Sequence, residues 1–529
     1  MQRNADIGLF TTPSNLRRGF MNASMIFGDI VTRGTLLSGS SPAFIWGRDR
    51  QRTYAEMEDR VSSIVMMLEK AGVKQGTRLA LLSSNNPEFL EFCFAASFIG
   101  AVIVPLNIRL HPDELNFQIK DSEASYAVID PELEKTAREA GLFDLRHWVI
   151  GDDLEKSLEP ASFNLRNFPR VSPEIPLIQL YTSGTTGKPK GCLSSQIGWL
   201  VSNSNVVNNI QINSDDRLLG VYPFFHVAGF SYATSTLLAG GTVIIPDSAV
   251  NENLWNYASS HNATITAFPA FPQALDYATE NGIDTSSIRG VLGGANMVKQ
   301  KIFDQLHEVI PNAVFYGTYG CTEGGGCVTL CTQKEELEKP GTVGRPLLCF
   351  DAAILGKNDE ILPDGEVGEL CLRGQSTMIG YWKRPEATKE ALRGGWIHTG
   401  DLMSKDKDGY LYFVDRSKDM IKSGGENVYS IEVETILLKH PDIVDAAVVG
   451  VPDKKWDESV KAVIVTEPGS KLQADDLDKF CLEKLSPYKR PRWYEFVDQI
   501  PRNETNKLLK RKLRDTHDPS KCVRLGERS

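Results

Sequence analysis

The sequence has no long hydrophobic run, no excess of basic charge and no paired cysteines, and each absence excludes a class of protein. The longest apolar run, 92–106, contains Gly100 and Pro105 and is shorter than the roughly 20 residues that a membrane-spanning helix needs. The net charge of -10 disfavours nucleic acid as the main partner, because a phosphate backbone requires a basic surface. Residues 1–20 lack the sustained apolar core of a secretory signal.

The nine cysteines include no CxxC pair, and the closest group is Cys321, Cys327 and Cys331. This spacing favours buried thiols over disulfides or a metal site. We therefore expect a reducing, cytoplasmic location.

Helical and strand patterns alternate in the first part of the chain. Thr53 and Glu56 form a capping-box pattern at the start of an amphipathic helix. "RLALL" and "AVIVP" predict buried strands on either side of a second helix, "NPEFLEFCFAASFIG". This alternation predicts an α/β fold with parallel sheets in layers.

The pattern changes after Gly341, where short β-type segments are separated by Gly, Pro and Asp and predict a small β-barrel or antiparallel sheet. A smaller α+β unit follows. With 529 residues, more than one domain is expected. We predict a large N-terminal domain of two α/β subdomains plus the small barrel, 1–416, and a small mobile C-terminal domain, 417–529.

The segment "YTSGTTGKPKG", Tyr181 to Gly191, predicts a phosphate-binding loop. Its glycines free backbone N–H groups, and its hydroxyls and lysine provide further donors to phosphate oxygens. The loop of nucleotide hydrolases has the form G-x-x-x-x-G-K-[ST]. Here Gly184 and Gly187 are too close, and Pro189 follows Lys188 where a hydroxyl would hold magnesium. A kinase or GTPase is therefore disfavoured.

The chain resembles the adenylate-forming enzymes, the superfamily of acyl-CoA synthetases, peptide-synthetase adenylation domains and luciferases. The resemblance covers about residues 50–515 and rests on an ordered set of motifs. They are "YTSGTTGKPKG", "PFFHVAG", "GGAN", "YGTYGCTEGG", "GWIHTGD", "DRSKDMIKSGGENV" and "PRNETNKLLKRKL".

The resemblance implies a nucleotide site in which Tyr319 stacks on adenine, Asp401 and Arg416 contact the ribose, and Thr322 contacts the α-phosphate. Glu323 would be the Mg²⁺ ligand, since magnesium prefers carboxylate oxygen. The full set of implied ATP-binding residues is Thr182, Ser183, Gly184, Thr185, Thr186, Gly187, Lys190, Gly294, Ala295, Gly317, Thr318, Tyr319, Thr322, Asp401, Arg416 and Lys422.

The resemblance also implies catalytic roles for Lys507, His226, Thr322 and Glu323. Lys507 would stabilise charge on the carboxylate and α-phosphate during adenylation, although Asn506 precedes it where the family usually has glycine. Lys418 would be the hinge of the small domain. Ser423, Gly424 and Gly425 would line the tunnel for the pantetheine arm of CoA. Two nearby departures from the family pattern are Ser430, where proline is frequent, and Asp457, where glycine is.

The acyl pocket implied by the resemblance is apolar and contains no acidic residue near His226, which disfavours an amino acid substrate. Its candidate residues are His226, Val227, Phe230, Phe268, Gly320, Gly325 and Gly326.

We therefore predict an ATP-dependent acid–CoA ligase that forms an acyl-adenylate and transfers the acyl group to CoA. The expected substrate is a neutral, apolar aliphatic or aromatic acid, and the co-substrates and cofactor are ATP, CoA and Mg²⁺. Two alternatives stay open: loading of a carrier-protein phosphopantetheine, and a catalytically inactive nucleotide-binding regulator. A homodimer is expected from the resemblance alone.

Overall fold

The computed structural model describes residues 25–182, 189–267, 271–293, 300–502 and 508–525. Helices α1 to α16 are Asp29–Ser38, Tyr54–Lys70, Pro87–Ile99, Pro112–Ser122, Glu134–Glu139, Asp152–Ser157, Gln196–Ile210, Val227–Leu238, Asn251–Ser260, Phe271–Asn281, Gln300–Val309, Gln333–Glu338, Pro385–Ala391, Ser430–Leu437, Ala474–Leu482 and Lys510–Asp515.

Strands β1 to β26 are Pro42–Trp46, Arg50–Thr53, Arg78–Leu82, Val102–Pro105, Tyr126–Ile129, Arg146–Val149, Pro176–Thr182, Lys190–Ser195, Arg217–Leu219, Thr242–Ile245, Ile265–Ala267, Gly290–Gly293, Val314–Cys321, Gly326–Thr332, Thr342–Pro346, Phe350–Leu355, Gly368–Gly374, Gly380–Tyr381, Ile397–Lys405, Leu411–Arg416, Ile421–Ser423, Glu426–Val428, Ile443–Asp453, Asp457–Thr466, Trp493–Phe496 and Val523–Arg524.

The chain divides into two compact units. The first comprises 1–351 with 372–397, and the second comprises 352–371 with 398–529. Among the residues that the structure describes, no helix is both long and apolar enough to cross a bilayer. The domain boundary expected near Lys418 stays a prediction, because compactness does not locate a hinge.

The first unit contains two sheets. One has the strand order β18-β8-β7-β4-β3-β5-β6, in which β3 to β7 run parallel and β8 pairs antiparallel with both β7 and β18. In the other, β1, β10, β9, β11, β12 and β13 are parallel neighbours, and antiparallel β14 and β15 extend it beyond β13. The predicted α/β class with parallel layers is confirmed.

Helix α3 lies in the core of this unit. All of its residues except Glu88 are buried, as expected for a helix that is apolar on every side. Asn86 caps its first turn, Pro87 occupies the first helical position, and Gly100 ends it in a left-handed conformation. The one buried charge, Glu91, is paired with Arg52 and Arg60, because an unpaired carboxylate would be costly there.

The second unit contains a sheet with the order β22-β21-β24-β25-β26. The eleven-residue strand β23 pairs with the ten-residue strand β24. Helices α14 and α15 cover its apolar face through Val433, Leu437, Leu477 and Cys481. Strands β16, β17, β19 and β20, mostly in this unit, are consecutive neighbours. They are the short β-type segments predicted after Gly341, and their closure into a small barrel stays a prediction.

Candidate active site

The predicted phosphate-binding segment joins two antiparallel strands of the first unit. Thr182 ends β7, Lys190 begins β8, and these two residues are direct cross-strand partners. The loop residues Ser183, Gly184, Thr185, Thr186 and Gly187 lie outside the described residues. The hairpin nevertheless fixes where the two ends of the segment lie.

Glu323 lies beside the end of this hairpin. Its Oε1 accepts a hydrogen bond from the hydroxyl of Tyr381 at 2.8 Å and a longer one from Thr182 at 3.4 Å. The ammonium of Lys190 lies 4.8 Å from the centre of the Tyr381 ring, within the range of a cation–π contact. The phosphate-loop hairpin and the separate strand β18 therefore meet beside one carboxylate.

The backbone that carries Thr322 and Glu323 is tied down on both sides. The N–H of Met378 donates to the carbonyl of Glu323 at 2.8 Å. Within the turn, the N–H of Gly325 donates to the carbonyl of Thr322 at 3.0 Å, and Ser202 on α7 donates to the carbonyl of Gly325 at 2.7 Å. These bonds restrain the main chain, so the position of the Glu323 side chain depends chiefly on its own torsions and contacts.

Burial raises the pKa of Tyr381, and the neighbouring Glu323 carboxylate raises it further. A neutral phenol next to a carboxylate must act as the hydrogen-bond donor, because the ionised carboxylate only accepts. Tyr381 therefore remains a donor to Glu323 throughout the neutral pH range.

The chemistry of this carboxylate fits the predicted magnesium role. Mg²⁺ usually keeps several waters and takes one or two carboxylates together with substrate phosphates. Glu323 is half-buried beside the ends of the phosphate-binding hairpin, and its Oε2 has no hydrogen-bond donor among the described residues. Bound there, a magnesium ion would neutralise phosphate charge.

Strand β13 carries the predicted adenine residue Tyr319 and ends at Cys321, directly before Thr322, the predicted α-phosphate residue. Thr318 donates to the carbonyl of Gly293 at 3.0 Å, and its Oγ1 lies 2.9 Å from the hydroxyl of Tyr232. Tyr319 is 4% exposed. Only glycine fits at position 320, because the Cβ of any other residue would lie 2.0 Å from the carbonyl oxygen of Gly326. Gly317 is half-buried in the same strand.

The predicted acyl-pocket residues divide between a helix start and the core. Nδ1 of His226 accepts the N–H of Ala228 at 3.3 Å, so the imidazole caps α8. Phe230 is completely buried, and its ring lies 4.8 Å from Trp199 and 5.6 Å from Phe27. Val227 belongs to the same core. Their predicted contact with an acyl group is not tested by this packing.

A small, partly open cleft lies between α8 and the ends of the parallel strands. Tyr222 and Tyr232 line it, with their ring centres 6.1 Å apart, together with Gly229, Ala267 and Leu292. Burial raises the pKa of Tyr222 to about 12. The walls are therefore apolar and aromatic, with phenol hydroxyls as the available hydrogen-bonding groups.

In the second unit, Asp401 and Arg416 are direct partners across β19 and β20. Arg416 Nε lies 3.4 Å from Asp401 Oδ1, and Asp401 is 6% exposed. Glu369 supports the backbone directly before Asp401 by accepting the N–H of Gly400 at 2.9 Å. Glu369 Oε2 also lies 2.8 Å from Nδ1 of His398. Asp401, the predicted ribose ligand, therefore lies on a firmly held part of strand β19.

Glu369, Cys371 and His398 place their ligand atoms within 4.8 Å of one another. Nδ1 of His398 contacts both the carboxylate and, at 3.3 Å, the sulfur of Cys371. One ring N–H shared between two acceptors accounts for this spacing. We interpret the group as a support for the backbone of β19 before Asp401.

The predicted hinge and CoA-tunnel residues follow β20. Lys418 is exposed and lies in a turn. The N–H of Asp419 donates to the carbonyl of Arg416 at 2.9 Å and closes that turn. Gly424 has φ +61°, and a Cβ there would lie 2.6 Å from the ring of Trp456. The exposed Lys422 and the buried Ser423 share β21. Gly425 has φ +85° with open space around it.

Four predicted residues outside the hairpin loop also fall outside the described part of the chain: Lys507, Gly294, Ala295 and Phe268. Their roles stay predictions. Near Lys507, the described helix α16 begins at Lys510.

Comparison with known proteins agrees with these features. The "AMP-binding enzyme" family matches residues 37–382, and the "AMP-binding enzyme C-terminal domain" family matches 432–507. A feruloyl-CoA synthase from Amycolatopsis sp is 36% identical over 465 residues, which cover 87% of this chain and 93% of that protein. A 2-succinylbenzoate–CoA ligase from Geobacillus kaustophilus is 34% identical over 467 residues, covering 88% and 93%.

Among solved structures, the o-succinylbenzoate CoA synthetase of Bacillus subtilis with its acyl-adenylate intermediate has a TM-score of 0.81. It is 28% identical, and the match covers 92% of this chain and 98% of that chain. Another structure of that enzyme contains ATP and a magnesium ion.

The chain belongs to the AMP-binding enzyme family, as its ordered motifs predicted. Within that family it is an AMP-forming acid–CoA ligase, which confirms the predicted activity and the predicted use of ATP, Mg²⁺ and CoA.

Sequence reasoning missed Tyr381 and Glu369 as supporting residues. Tyr381 is 58 positions from Glu323, and Glu369 is 31 positions from Gly400. Neither lies inside a motif that we recognised. The available signal for Tyr381 was a tyrosine between Gly380 and Trp382, which is weak without the fold.

Proposed function

We propose that this ligase activates an aromatic carboxylic acid as its acyl-adenylate and transfers the acyl group to CoA. The observation that supports this choice is the apolar, aromatic lining of the cleft beside α8, to which Tyr222 and Tyr232 contribute. Its apolar walls favour an uncharged ring over an ammonium-bearing substrate, because an unpaired charge there would be costly. The aromatic acids named in the relatives, feruloyl and 2-succinylbenzoate, support the same choice.

The individual roles are proposed as follows. The hairpin ended by Thr182 and Lys190 holds the phosphates that leave as pyrophosphate. Thr322 contacts the α-phosphate, and Glu323 provides a carboxylate oxygen to Mg²⁺. Lys507 stabilises the charge that develops between the carboxylate and the α-phosphate. Most of this catalysis is positioning and charge stabilisation, as in phosphoryl transfer generally.

The proposed residues of the second unit act on the ribose and on the thiol. Asp401 accepts hydrogen bonds from the ribose hydroxyls, with Arg416 beside it. Ser423, Gly424 and Gly425 form the approach for the pantetheine arm, and Lys418 is the hinge between the two half-reactions. The restrained backbone of β19 around Asp401 supports its role, because a buried acceptor on a fixed backbone needs no reorganisation when it binds.

Pyrophosphate release from ATP and Mg²⁺ across a panel of acids, with and without CoA, tests the proposal. The panel should pair each aryl acid with an alkyl acid of similar length and with an amino acid. We expect turnover that requires both an aryl acid and CoA. Turnover restricted to alkyl acids would contradict the aromatic substrate, and silence with every acid would favour the inactive regulator.

The same assay separates free CoA from a carrier protein as the acyl acceptor. Acid-dependent release that stops near one equivalent and ignores CoA would favour the carrier protein. Supplying a phosphopantetheinylated carrier would then restore turnover. The comparisons with CoA ligases favour free CoA.

We also propose a cytoplasmic location and a homodimer. All nine cysteines are free thiols, which is the usual state in a reducing compartment. The homodimer follows from the family resemblance, and light scattering on the purified chain tests it. A single monomeric mass over a wide concentration range would exclude it.

A further inference from the structure

We infer that Tyr381 is a positioning residue of the adenylation site, holding the Glu323 carboxylate and the Lys190 ammonium in the places that MgATP requires. This inference rests on the proposed roles of Glu323 and Lys190. Tyr381 belongs to the short strand β18 and is not one of the residues that the motifs indicated.

The contact with Glu323 is specific to one oxygen. The Tyr381 hydroxyl donates to Oε1 at 2.8 Å, and Thr182 donates to the same atom at 3.4 Å. Two donors on Oε1 fix the torsion of the carboxylate. The other oxygen, Oε2, then has a defined direction in which it can meet a metal ion. Without the phenol, the carboxylate would rotate about its terminal torsion, which is broad for glutamate.

The contact with Lys190 uses the face of the same ring. The ammonium lies 4.8 Å from the ring centre, and the negative face of an aromatic ring attracts a cation at this distance. One tyrosine therefore acts on a phosphate-binding cation through its ring and on a metal-binding anion through its hydroxyl.

Tyr381 is held in place by main-chain bonds. It pairs with Cys192 across β18 and β8, and the N–H of the next residue, Trp382, donates to the carbonyl of Gly191 at 2.8 Å. The Tyr381 N–H donates to Thr388 Oγ1 at 2.9 Å. Because β8 also begins with Lys190, the ring and the ammonium are placed by the same pair of strands.

Tyr381→Phe removes the hydroxyl and keeps the ring. Tyr257→Phe is the matched control. Tyr257 lies on α9, a helix without candidate site residues, and its hydroxyl likewise donates to a carboxylate, that of Asp247, at 2.7 Å. ATP binding is measured by calorimetry without acid or CoA, in EDTA and in Mg²⁺. We expect Tyr381→Phe to reduce the Mg²⁺-dependent gain in ATP affinity by about tenfold or more, as for a lost hydrogen bond to a charged group.

The same variant should need more Mg²⁺ for half-maximal pyrophosphate release, while its ATP affinity in EDTA stays near that of the wild type. Tyr381→Leu also removes the ring, so we expect it to weaken ATP binding in EDTA as well. Tyr257→Phe should change none of these quantities. A thermal melt of each variant checks that the fold is retained.

The inference is overturned if Tyr381→Phe and Tyr257→Phe show the same Mg²⁺ dependence of ATP binding. Its failure is distinct from failure of the proposed function. If no acid supports turnover but Tyr381→Phe still loses Mg²⁺-dependent ATP affinity, the positioning role stands and the proposed substrate is wrong. If turnover on an aryl acid is found and the binding difference is absent, only the positioning role is wrong.

Discussion

Lys510 Nζ lies 2.7 Å from Glu434 Oε1, and both side chains are about nine-tenths buried. Lys510 also donates to Ser430 at 2.6 Å, and Ser430 donates to Asp415 at 2.7 Å. Ser430 occupies a position where the family often has proline, and here its N–H donates to Asp415 as well. A proline has no N–H to give, so this buried network depends on the serine.

Lys510→Met should destabilise the second unit, because it leaves Glu434 and Asp415 buried without their cation. Removing one partner of a buried pair costs about 3 kcal/mol or more. Burial already raises the pKa of both carboxyls, and loss of the lysine raises each pKa further. Once both carboxyls are protonated at low pH, loss of the lysine leaves no buried negative charge unpaired, so the destabilisation should grow as pH rises above their ordinary pKa values.

Urea unfolding at several pH values, with hydrogen exchange of the β23 and β24 amides, measures this effect. Lys512→Met on the exposed side of the same helix is the matched control and should have little effect. Equal stability losses for the two variants would contradict a special role for the buried lysine.

Lys507→Ala should reduce acyl-adenylate formation by about 10²–10³-fold, the scale for removing one charge-stabilising donor. Transfer from preformed acyl-adenylate to CoA should be much less affected, because the resemblance assigns this lysine to the first half-reaction. Rapid-quench measurement of each half-reaction separates the two, and Lys512→Ala is the control. Near-normal adenylation in Lys507→Ala would show that the assignment is wrong.

Asp401→Asn should raise the KM for ATP by about tenfold, because hydrogen bonds to a charged group contribute about 1.5–3 kcal/mol. The amide keeps the size of the side chain and one acceptor oxygen, so the backbone of β19 that Glu369 holds should persist. Steady-state kinetics at saturating acid and CoA give the value. Asp408→Asn, in the exposed turn before β20, is the control, and a KM unchanged in Asp401→Asn would exclude ribose binding there.

Gly424→Ala should slow thioester formation more than adenylation. The added methyl group would meet Trp456 at 2.6 Å on a backbone with φ +61°, so the loop must shift where the pantetheine arm is expected to pass. Gly469→Ala controls for backbone strain alone, since Gly469 has φ +83° with no atom near its Cβ position. Comparing CoA consumption with pyrophosphate release measures the two steps. Equal effects on both would argue against a role in the thiol approach.

Local patterns predicted many individual elements of this chain correctly. Thr53 and Glu56 form the predicted capping box of α2, and "RLALL" is the buried strand β3. Helix α3 and strand β4 also lie where their patterns placed them. These predictions succeeded because caps and hydrophobic periodicity act between residues that are close in sequence.

Local patterns predicted the short strands after Gly341 but not how they associate, because closure of a sheet is not a local property. Short strands separated by Gly, Pro and Asp are equally compatible with a closed barrel and with an antiparallel sheet, and the structure places β16, β17, β19 and β20 next to one another. Strand pairing over long sequence separations decides between them.

The sequence by itself determined the family, the chemistry and the identity of the main candidate residues, because reactive groups occur in fixed short motifs. Only the tertiary structure decided which groups support them. Tyr381 reaches Glu323 across 58 residues, and Lys510 reaches Ser430 across 80. Such contacts depend on how strands pair and helices pack, and no short stretch of sequence encodes that geometry.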